Sequence, residues 1–500
     1  MRSWVELSGP DYSVGMRLRT PLLFVSGLAL TVATVLPVSG VAQSAPATSH
    51  DRAPLAAYSL VTSISQAASG LIARVVLPAG VGCPSLDVTI AKNGGSKNVS
   101  KKMSERKAGT TTLDAFSTLL VCEAAMPANA VSASVAGRSI PAAMPTEVDR
   151  IALFGDSGCR LKGSDVQDCN VPSQWPLARI ATSIIREQAD VTIFLGDFFY
   201  REEACPVANT ALCGGSPAPL PGVSFTDSAW GWVADVLTPM GALLSSTPIV
   251  VTRGNHEQCS RGGNGFFLMF DPAFGTSTQC APTSTGAAPM VYSPTWATDL
   301  AIKGGRTLRL VNVDSANGSD STIDDTIAAS QRPLFVQAQA LAKRADEAWL
   351  LTHRPIMGVQ SPEVLPVPPG DLSTWNSVTQ AYSSYGLLGP FDLTLSSHVH
   401  LVQAVQVPGA PSELVLGNGG TMLDPTTSYA IPEYGPLTSA TGQPLAPNVG
   451  TLPTADYLKT WVRFGYAVAT PKRSGWAFEL KDPAGSAFAM CRSKDRLIAC

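Results

Sequence analysis

Side chains of the kinds that bind metal ions follow five apolar runs in this 500-residue chain. Each run has the length and composition of a buried strand, and a carboxylate, amide or imidazole group follows it. The five segments read GDSG at 155–158, GDFFY at 196–200, GNHE at 254–257, LLTH at 350–353 and SHVH at 397–400. Because oxygen and imidazole donors suit iron, manganese or zinc, this inventory predicts a metal centre at strand ends.

The histidines are few and are concentrated at these strand ends. The chain has five, and apart from His50 all of them follow an apolar run: His256, His353, His398 and His400. A single histidine is more often a satisfied core or surface residue than a ligand, but four in the same position are not explained in that way. The H-x-H spacing places two imidazoles on one face of an extended chain, so they can reach two neighbouring ions. Two ions with a bridging carboxylate would use the two aspartates, the tyrosine, the asparagine and three of the histidines.

The letters GDSG also occur in the nucleophile loop of trypsin-like serine proteases, so Ser157 is an alternative functional residue. That arrangement needs a histidine, then an aspartate, then the serine along the chain. Only His50 precedes Ser157, and Cys159 and Arg160 follow the motif directly. We therefore interpret Ser157 as a loop residue and Asp156 as the ligand.

Strands and helices alternate through the middle and C-terminal parts of the chain. The predicted helices lie at 175–188, 228–237 and 332–344. The predicted strands lie at 150–154, 191–195, 248–252, 307–314, 348–352, 392–396, 413–421 and 463–471. This alternation is typical of α/β folds, in which sites form at the carboxyl ends of strands. Loops rich in proline, glycine, serine and threonine are expected to form a pocket rim at 205–222, 361–371 and 424–455.

The N-terminus carries the pattern of a secretory signal. Two arginines precede an apolar run at 22–36, and small residues follow up to Ala42, so residues 1–42 are predicted to be cleaved on export. A membrane anchor is the alternative, but the run is shorter than the roughly 20 residues that span a bilayer. Met16 is an alternative start. We expect the mature protein to be secreted or periplasmic, without a membrane segment.

Three further parts are predicted after the signal. A flexible leader is expected at 43–57, a small all-β, sandwich-like domain at 58–146, and a catalytic domain at 147–500. The small domain is inferred from short strands between polar turns, at 71–77, 86–91, 116–124 and 130–137.

The chain has ten cysteines and no CxxC pair, which argues against a zinc ribbon or a thioredoxin-type motif. An exported protein reaches an oxidising compartment, where disulfides persist. The spacing favours sequential pairing, although sequence alone does not prove connectivity. The expected pairs are Cys83–Cys122, Cys159–Cys169, Cys205–Cys213, Cys259–Cys280 and Cys491–Cys500.

Composition excludes several classes of partner. The chain is 45% hydrophobic and 15% charged, with a net charge of −3, which is typical of a soluble globular protein. There is no basic excess of the kind that binds nucleic acid, and no acidic tail that would indicate disorder.

Taken together, the five segments resemble the calcineurin-like metallophosphoesterases, and among them the purple acid phosphatases. The family pattern GDxG, GDxxY, GNH[DE], VxxH and GHxH is matched in order over residues 149–402. Leu350 replaces the valine and Ser397 replaces the last glycine, but neither change removes a ligand. The resemblance implies an α/β (α+β) fold, a two-sheet β-sandwich flanked by helices, with the small all-β domain ahead of it.

The resemblance also implies seven metal ligands. The first ion would be bound by Asp156, Tyr200 and His400. The second would be bound by Asn255, His353 and His398, and Asp197 would bridge the two ions. A tyrosine ligand favours Fe(III) at the first position and would give a visible charge-transfer colour. The expected cofactors are two ions, iron plus a divalent iron, zinc or manganese ion. Tyr200 as part of an aromatic core is the alternative.

The implied activity is hydrolysis of small phosphomonoesters by attack of a metal-bound hydroxide, as in acid phosphatases. His256 would be the catalytic residue that donates a proton or a hydrogen bond near the leaving group. Arg253 and Arg160 would bind phosphate oxygens, or else pair with nearby carboxylates. A phosphodiesterase or nucleotidase with the same centre is one alternative, and a non-enzymatic surface-binding protein with structural metals is a more distant one.

Overall fold

The computed structural model describes residues 53–106, 114–214, 226–275, 280, 290–318, 325–343, 345–356, 389–406, 411–424 and 457–500. All of them belong to the compact unit Thr48–Cys500. The predicted signal, most of the predicted leader, the loop at 361–371 and nearly all of the loop at 424–455 lie outside the described residues.

The described residues form 24 strands and six α-helices. The strands are, in chain order, β1 Ala56–Val61, β2 Leu71–Pro78, β3 Ser85–Lys92, β4 Gly95–Lys102, β5 Ser104–Glu105, β6 Leu119–Ala125, β7 Ala130–Val135, β8 Arg138–Ile140, β9 Ile151–Phe154, β10 Leu161–Lys162, β11 Asp165–Val166, β12 Val191–Phe194, β13 Ile249–Val251, β14 Trp296–Ile302, β15 Arg306–Val313, β16 Glu347–Thr352, β17 Leu393–Ser396, β18 Val402–Gln406, β19 Ser412–Leu416, β20 Tyr457–Trp461, β21 Tyr466–Pro471, β22 Trp476–Lys481, β23 Ala487–Lys494 and β24 Leu497–Ala499. The helices are α1 Leu177–Arg186, α2 Thr210–Cys213, α3 Ala229–Trp232, α4 Thr238–Leu244, α5 Gly263–Met269 and α6 Asp325–Ala342. Short 3₁₀ or π segments lie at Asp114–Phe116, Val207–Asn209, Val233–Leu237 and Asn255–Glu257.

Two large sheets form the centre of the fold. The first sheet has 11 strands in the order β24-β23-β22-β21-β9-β12-β13-β1-β2-β6-β5. The second sheet has seven strands in the order β14-β15-β16-β17-β19-β18-β20. A four-stranded sheet, β4-β3-β7-β8, and the pair β10-β11 complete the strand pairing of the described residues.

Hydrophobic side chains fill layers on both faces of the two large sheets. Leu153 of β9 and Trp349 of β16 belong to the core between the sheets. Phe154, the next residue of β9, belongs to a separate core with Ile180 of α1 on the outer face of the first sheet. On the outer face of the second sheet, strand residues pack with Phe335 of α6. Successive strand residues point to opposite faces, so the predicted two-sheet sandwich flanked by helices is confirmed.

The region before residue 146 is rich in sheet, but it is not confined to a sheet of its own. β1 pairs in parallel with β13, with Leu60 opposite Ile249, and β2, β6 and β5 continue the first sheet from there. Leu86 of β3 packs into the core between the two large sheets. Strands of this region therefore extend the sheet that holds β9, β12 and β13, and a domain boundary at residue 146 stays a prediction.

Several elements differ in length from their predictions. The helix predicted at 332–344 begins earlier, at Asp325. The strand predicted at 413–421 ends at Leu416. The glycine-rich residues after Leu416 run against the loop that follows β9, where a Cβ on Gly419 would lie 2.4 Å from the Gly155 carbonyl oxygen. Close approach of two backbones therefore ends the strand.

All five predicted disulfides are present: Cys83–Cys122, Cys159–Cys169, Cys205–Cys213, Cys259–Cys280 and Cys491–Cys500. Among the helices of the described residues, none combines the length and the apolar character that crossing a membrane requires.

Candidate metal centre

Five strands deliver the predicted ligands to one place between the two large sheets. β9, β12 and β13 are parallel neighbours in the first sheet, and β16 and β17 are parallel neighbours in the second. Because parallel strands end at the same edge of a sheet, the segments that follow them converge. Hydrogen-bond contacts between these segments, given below, show that the two edges meet.

Three of the predicted ligands adopt an uncommon backbone conformation. Asp156, Asp197 and His398 have φ angles of 55°, 57° and 73°, in the left-handed region. Residues other than glycine rarely adopt it, at a cost of order 1 kcal/mol each, and such residues cluster at functional sites. Each lies two or three residues beyond its strand, so the turn sets the direction of the ligand side chain.

The predicted first-ion ligands lie around the Tyr200 hydroxyl. Its oxygen is 2.7 Å from Asp156 Oδ1, 2.9 Å from Asp197 Oδ2 and 3.0 Å from His400 Nε2. Tyr200, Asp156 and Asp197 have no exposed surface. The phenol thus points into the polar cluster, although its ring is buried with its aromatic neighbours.

The predicted second-ion ligands meet the same Asp197 carboxylate. His353 Nε2 lies 2.9 Å from Asn255 Oδ1 and 3.2 Å from Asp197 Oδ2. Asp197, His353 and His398 each offer one donor atom, and these atoms lie within 4.8 Å of one another. The structure therefore brings together side chains of both predicted sets, with Asp197 in contact with each.

Electrostatics in the cluster favour a bound cation. Burial and the two neighbouring carboxylates raise the pKa of the Tyr200 hydroxyl well above its ordinary value. Burial also raises the pKa of Asp156 to about 6, with Asp197 adding to the effect. Burial opposes ionisation of Asp197, but His353 and His256 outweigh it and hold its pKa well below the usual range. Positive ions among these oxygens would relieve their mutual repulsion, so the donor set fits metal ions.

The imidazoles differ in charge preference. Burial opposes protonation of His353, but the Asp197 carboxylate outweighs it and raises the His353 pKa to about 9. Burial and the Arg354 guanidinium hold the pKa of His398 well below its ordinary value. The neutral imidazole that results for His398 is the form that binds metals.

Two buried carboxylates hold the ligand loops of the first sheet together. Asp235 Oδ1 accepts hydrogen bonds from Cys159 N at 3.1 Å and Arg201 Nε at 2.6 Å. Its Oδ2 accepts from Tyr200 N at 2.8 Å and Arg201 N at 3.1 Å. The loop after β9 and the loop after β12 are therefore bound to one fully buried side chain.

Glu257, the last residue of the GNHE segment, does the same for the next pair of loops. Its Oε2 accepts from Asp197 N and Gly254 N, both at 3.0 Å, and its Oε1 accepts from Phe198 N at 2.8 Å and Phe199 N at 3.1 Å. A Cβ on Gly254 would lie 2.1 Å from Asp197 Oδ1, so glycine is required there. We call Asp235 and Glu257 the carboxylate clamps.

His256 lies beside the centre with partners of its own. Its Nδ1 is 2.7 Å from Glu202 Oε1, its Nε2 is 3.8 Å from Asp197 Oδ2, and its ring centroid is 3.7 Å from that of Tyr200. Arg261 Nη2 pairs with Glu202 and lies 2.8 and 2.7 Å from the two His256 nitrogens. Burial, together with Arg261, lowers the pKa of His256 to about 3.

The two arginines predicted to bind phosphate are paired with carboxylates. Arg253 is 1% exposed, and its Nη1 lies 3.0 Å from Asp314 Oδ2. Arg160 Nε donates to Asp165 Oδ2 at 2.9 Å. For both arginines the geometry corresponds to the carboxylate-pairing alternative.

Other charged residues at the centre were not predicted. Arg354 Nη1 lies 3.0 Å from His398 Nε2. Asp424 Oδ2 accepts from His400 N at 2.9 Å. Arg354 directly follows a ligand, which is a weak signal, whereas Glu202, Arg261 and Asp424 are loop residues with no pattern to single them out.

The sequence profile of the calcineurin-like phosphoesterases matches residues 149–401, which is half of the chain and contains every predicted ligand. The chain belongs to this family. Calcineurin-like phosphoesterases are hydrolases that act on phosphate esters, and membership implies a binuclear metal centre.

The solved structures that match this chain are remote from it in sequence. A purple acid phosphatase, PPD1, from yellow lupin (Lupinus luteus) seeds has 12% identity over 88% of this chain and 74% of its own, with a TM-score of 0.48. PhoD has 12% identity over 91% of this chain and 93% of its own, with a TM-score of 0.49. GAP50 of Plasmodium, described as the anchor in the inner membrane complex, has 14% identity over 69% and 88%, with a TM-score of 0.40. No curated protein matches this phosphoesterase.

Proposed function

We propose that this phosphoesterase hydrolyses phosphomonoesters with two metal ions held by the seven predicted ligands. Asp156, Tyr200 and His400 would hold the first ion. Asn255, His353 and His398 would hold the second, and Asp197 would bridge the two. The first ion would be iron, because a phenolate oxygen favours Fe(III), and the second a divalent iron, zinc or manganese ion.

The position of Asp197 is the observation that carries this proposal. One of its oxygens, Oδ2, lies 2.9 Å from the Tyr200 hydroxyl of the first set and 3.2 Å from His353 Nε2 of the second. Its other oxygen accepts from His256 N at 2.7 Å, which fixes the carboxylate orientation. A bridging ligand must be a carboxylate that lies next to the ligands of both ions, and Asp197 has this position.

When bound, two ions would supply positive charge for the phosphate oxygens and lower the pKa of a water molecule that serves as the nucleophile. The chain itself supplies His256 for the leaving group. Glu202 accepts from Nδ1–H, so Nε2 is the atom that faces the centre. The negative charge of a bound phosphate would favour a second proton on Nε2, and His256 would pass that proton to the departing oxygen.

Positive side chains near the centre would bind the substrate phosphate. Arg261 and Arg354 both contact ring nitrogens of site histidines, at 2.7–2.8 Å and 3.0 Å. Arg354 is 3% exposed, and Arg261 is part-buried. Guanidinium groups in such positions suit a doubly charged phosphate group better than a diester. Arg261 is paired with Glu202, so Arg354 is the cation that favours the monoester reading over the phosphodiester alternative.

Metal analysis and paired substrates test the proposal. Purified protein is expected to contain two ions per chain, with a visible absorption band if iron is coordinated by Tyr200. It should hydrolyse p-nitrophenyl phosphate well and bis-p-nitrophenyl phosphate poorly. Faster cleavage of the bis-ester would make the protein a phosphodiesterase, and metal without any hydrolysis would favour a structural, surface-binding role.

The proposal includes export of the protein. Its five disulfides would persist in an oxidising compartment such as the periplasm or the extracellular space. Fractionation of the native host, with N-terminal sequencing of the mature chain, tests this part and the expected cut after Ala42.

A further inference from the structure

Ser397 occupies the position that is glycine in the family pattern, and it lies between three ligand segments. Its side chain is fully buried. Its Oγ lies 2.7 Å from the Leu195 carbonyl oxygen and 2.9 Å from His353 Nδ1, and its amide N donates to the His353 carbonyl at 2.9 Å. Ser397 is not among the residues with positive φ, so the backbone does not require glycine at this position.

These contacts determine which nitrogen of His353 faces the centre. His353 Nδ1 is 2.9 Å from the Leu195 carbonyl oxygen, and a carbonyl can only accept, so Nδ1 carries a proton. The Ser397 hydroxyl donates to the same carbonyl and offers its lone pair to the Nδ1 proton. His353 Nε2 is thereby directed at Asn255 Oδ1 and Asp197 Oδ2, 2.9 and 3.2 Å away.

Ser397 also fills space against the loop that carries a first-ion ligand. A Cβ built on Gly155 would lie 2.7 Å from both the Cβ and the Oγ of Ser397. Glycine at 397 would remove both the hydroxyl and the packing of Cβ against Gly155. Alanine would keep the Cβ and remove only the hydroxyl, so the two substitutions separate hydrogen bonding from packing.

We infer that Ser397 is a positioning residue for the second metal ion, because its hydroxyl holds the His353 ring in its coordinating orientation. The inference rests on the proposed two-ion centre. Partners that bind the non-coordinating nitrogen of a metal-bound histidine commonly change metal affinity by about 10- to 100-fold. The Leu195 carbonyl remains when the hydroxyl is removed, so we expect the lower end of this range. The contacts of the Ser397 hydroxyl described above are with His353 and Leu195, and neither residue is a ligand of the first ion.

The test is a Zn²⁺ titration of metal-free protein in competition with a chelator, which resolves the two binding steps. Four proteins are compared: wild type, Ser397→Ala, Ser397→Gly and Ser157→Ala. The last is a matched control, because Ser157 Oγ is buried beside a ligand but makes no hydrogen bond among the described residues. Far-UV circular dichroism of the metal-free proteins establishes that each variant is folded.

The expected result is two Zn²⁺ ions in every protein, with one step weakened about 10-fold in both Ser397 variants and both steps unchanged in the control. Equal affinities in Ser397→Ala and wild type would overturn the inference, because the hydroxyl would then have no effect on the ion. Loss in Ser397→Gly alone would also overturn it, since packing against Gly155 would be the cause. Fewer than two ions in wild type would overturn the two-ion centre itself, and the inference with it.

Discussion

The two large sheets contribute different donor atoms to the centre and hold them in different ways. The first sheet supplies oxygen donors, which are Asp156, Asp197, Tyr200 and Asn255. The second sheet supplies imidazoles, which are His353, His398 and His400. Loops of the first sheet are bound by the carboxylate clamps, Asp235 and Glu257, and three disulfides follow them. In the second sheet, serine hydroxyls bind the His353 segment, whereas the Asp156 and Asp424 carboxylates bind the backbone N–H groups of His398 and His400.

Ser315 is the clearest case of such a hydroxyl. Its Oγ accepts from His353 N at 3.1 Å and from Arg354 N at 2.9 Å. Ser397 acts on the His353 ring in the same half. Asp235 is paired with the Arg201 guanidinium, and hydrogen bonds to an ionised carboxylate are roughly twice as strong as those between neutral groups. Burial raises the pKa of Glu257 to about 8, so the stronger bonds are those of Asp235. The segment of His353 is thus supported by neutral groups, whereas the loops after β9 and β12, which carry the mutually repelling acidic oxygens, are joined through the Asp235–Arg201 ion pair.

Asp197 belongs to the first sheet but is proposed to serve both ions, so its loss should have the largest effect. We expect Asp197→Asn to release both ions and to lower kcat/KM for p-nitrophenyl phosphate by at least about 10³-fold. This loss exceeds the roughly 10- to 100-fold effect of removing a hydrogen-bond partner of a ligand. Metal content and steady-state kinetics measure this. Asp165→Asn, at an exposed carboxylate of the same half, is the control. Retention of two ions and of most activity would refute the bridging role.

The difference between the Asp235 carboxylate and the Ser315 hydroxyl predicts a difference in stability. Asp235→Asn would place an amide donor against backbone N–H groups and break a buried pair with Arg201, at a cost of about 3–5 kcal/mol. Ser315→Ala should cost about 1–3 kcal/mol, as expected when buried amides lose a neutral acceptor. Denaturant unfolding of the metal-free proteins gives both values. If Ser315→Ala lowers the free energy of unfolding as much as Asp235→Asn or more, the carboxylate is not the stronger support.

Single ligands from the two sheets should separate the two ions. His398→Ala is expected to lose one ion, keep the visible band of the Tyr200–iron site, and lower kcat by about 100-fold, which reflects the charge stabilisation that one ion supplies. Tyr200→Phe is the matched variant and should abolish the band while one ion remains. If both variants lose the same ion, the assignment of ligands to two sets is wrong.

Glu202 should have the smallest effect, because it acts through His256. Glu202→Gln keeps the shape of the side chain but weakens its hold on the imidazole. We expect a loss of about 10-fold on an alkyl phosphate, which is less than the roughly 10²–10⁴-fold that general acid catalysis contributes as a whole. Little loss is expected on p-nitrophenyl phosphate, whose leaving group needs no proton. Equal losses on both substrates would assign Glu202 a purely structural role.

Much of the fold around the site was predictable because the strands that lead to it are short and buried on both faces. Apolar runs such as 150–154 and 191–195 correspond to β9 and β12, and the amphipathic helix at 175–188 corresponds to α1. Less was predictable where the end of a strand or its pairing partner depends on residues far away in the sequence. The end of β19 follows from the approach of another backbone, and the pairing of β1 with β13 joins residues about 190 positions apart.

The sequence by itself determined the set of potential metal-binding side chains and the family, because these depend on residue types and on local spacing. Spacing also favoured the disulfide pairing, which the tertiary structure then showed. Only the tertiary structure decided which charges face the centre. Arg253 and Arg160 are close to ligands in sequence, yet each pairs with another carboxylate. Glu202, Arg261 and Arg354 reach the site histidines because five separate strand ends converge there. Spacing along the chain predicts which side chains follow one strand in its turn. Contacts between different turns depend on how the two sheets pack together.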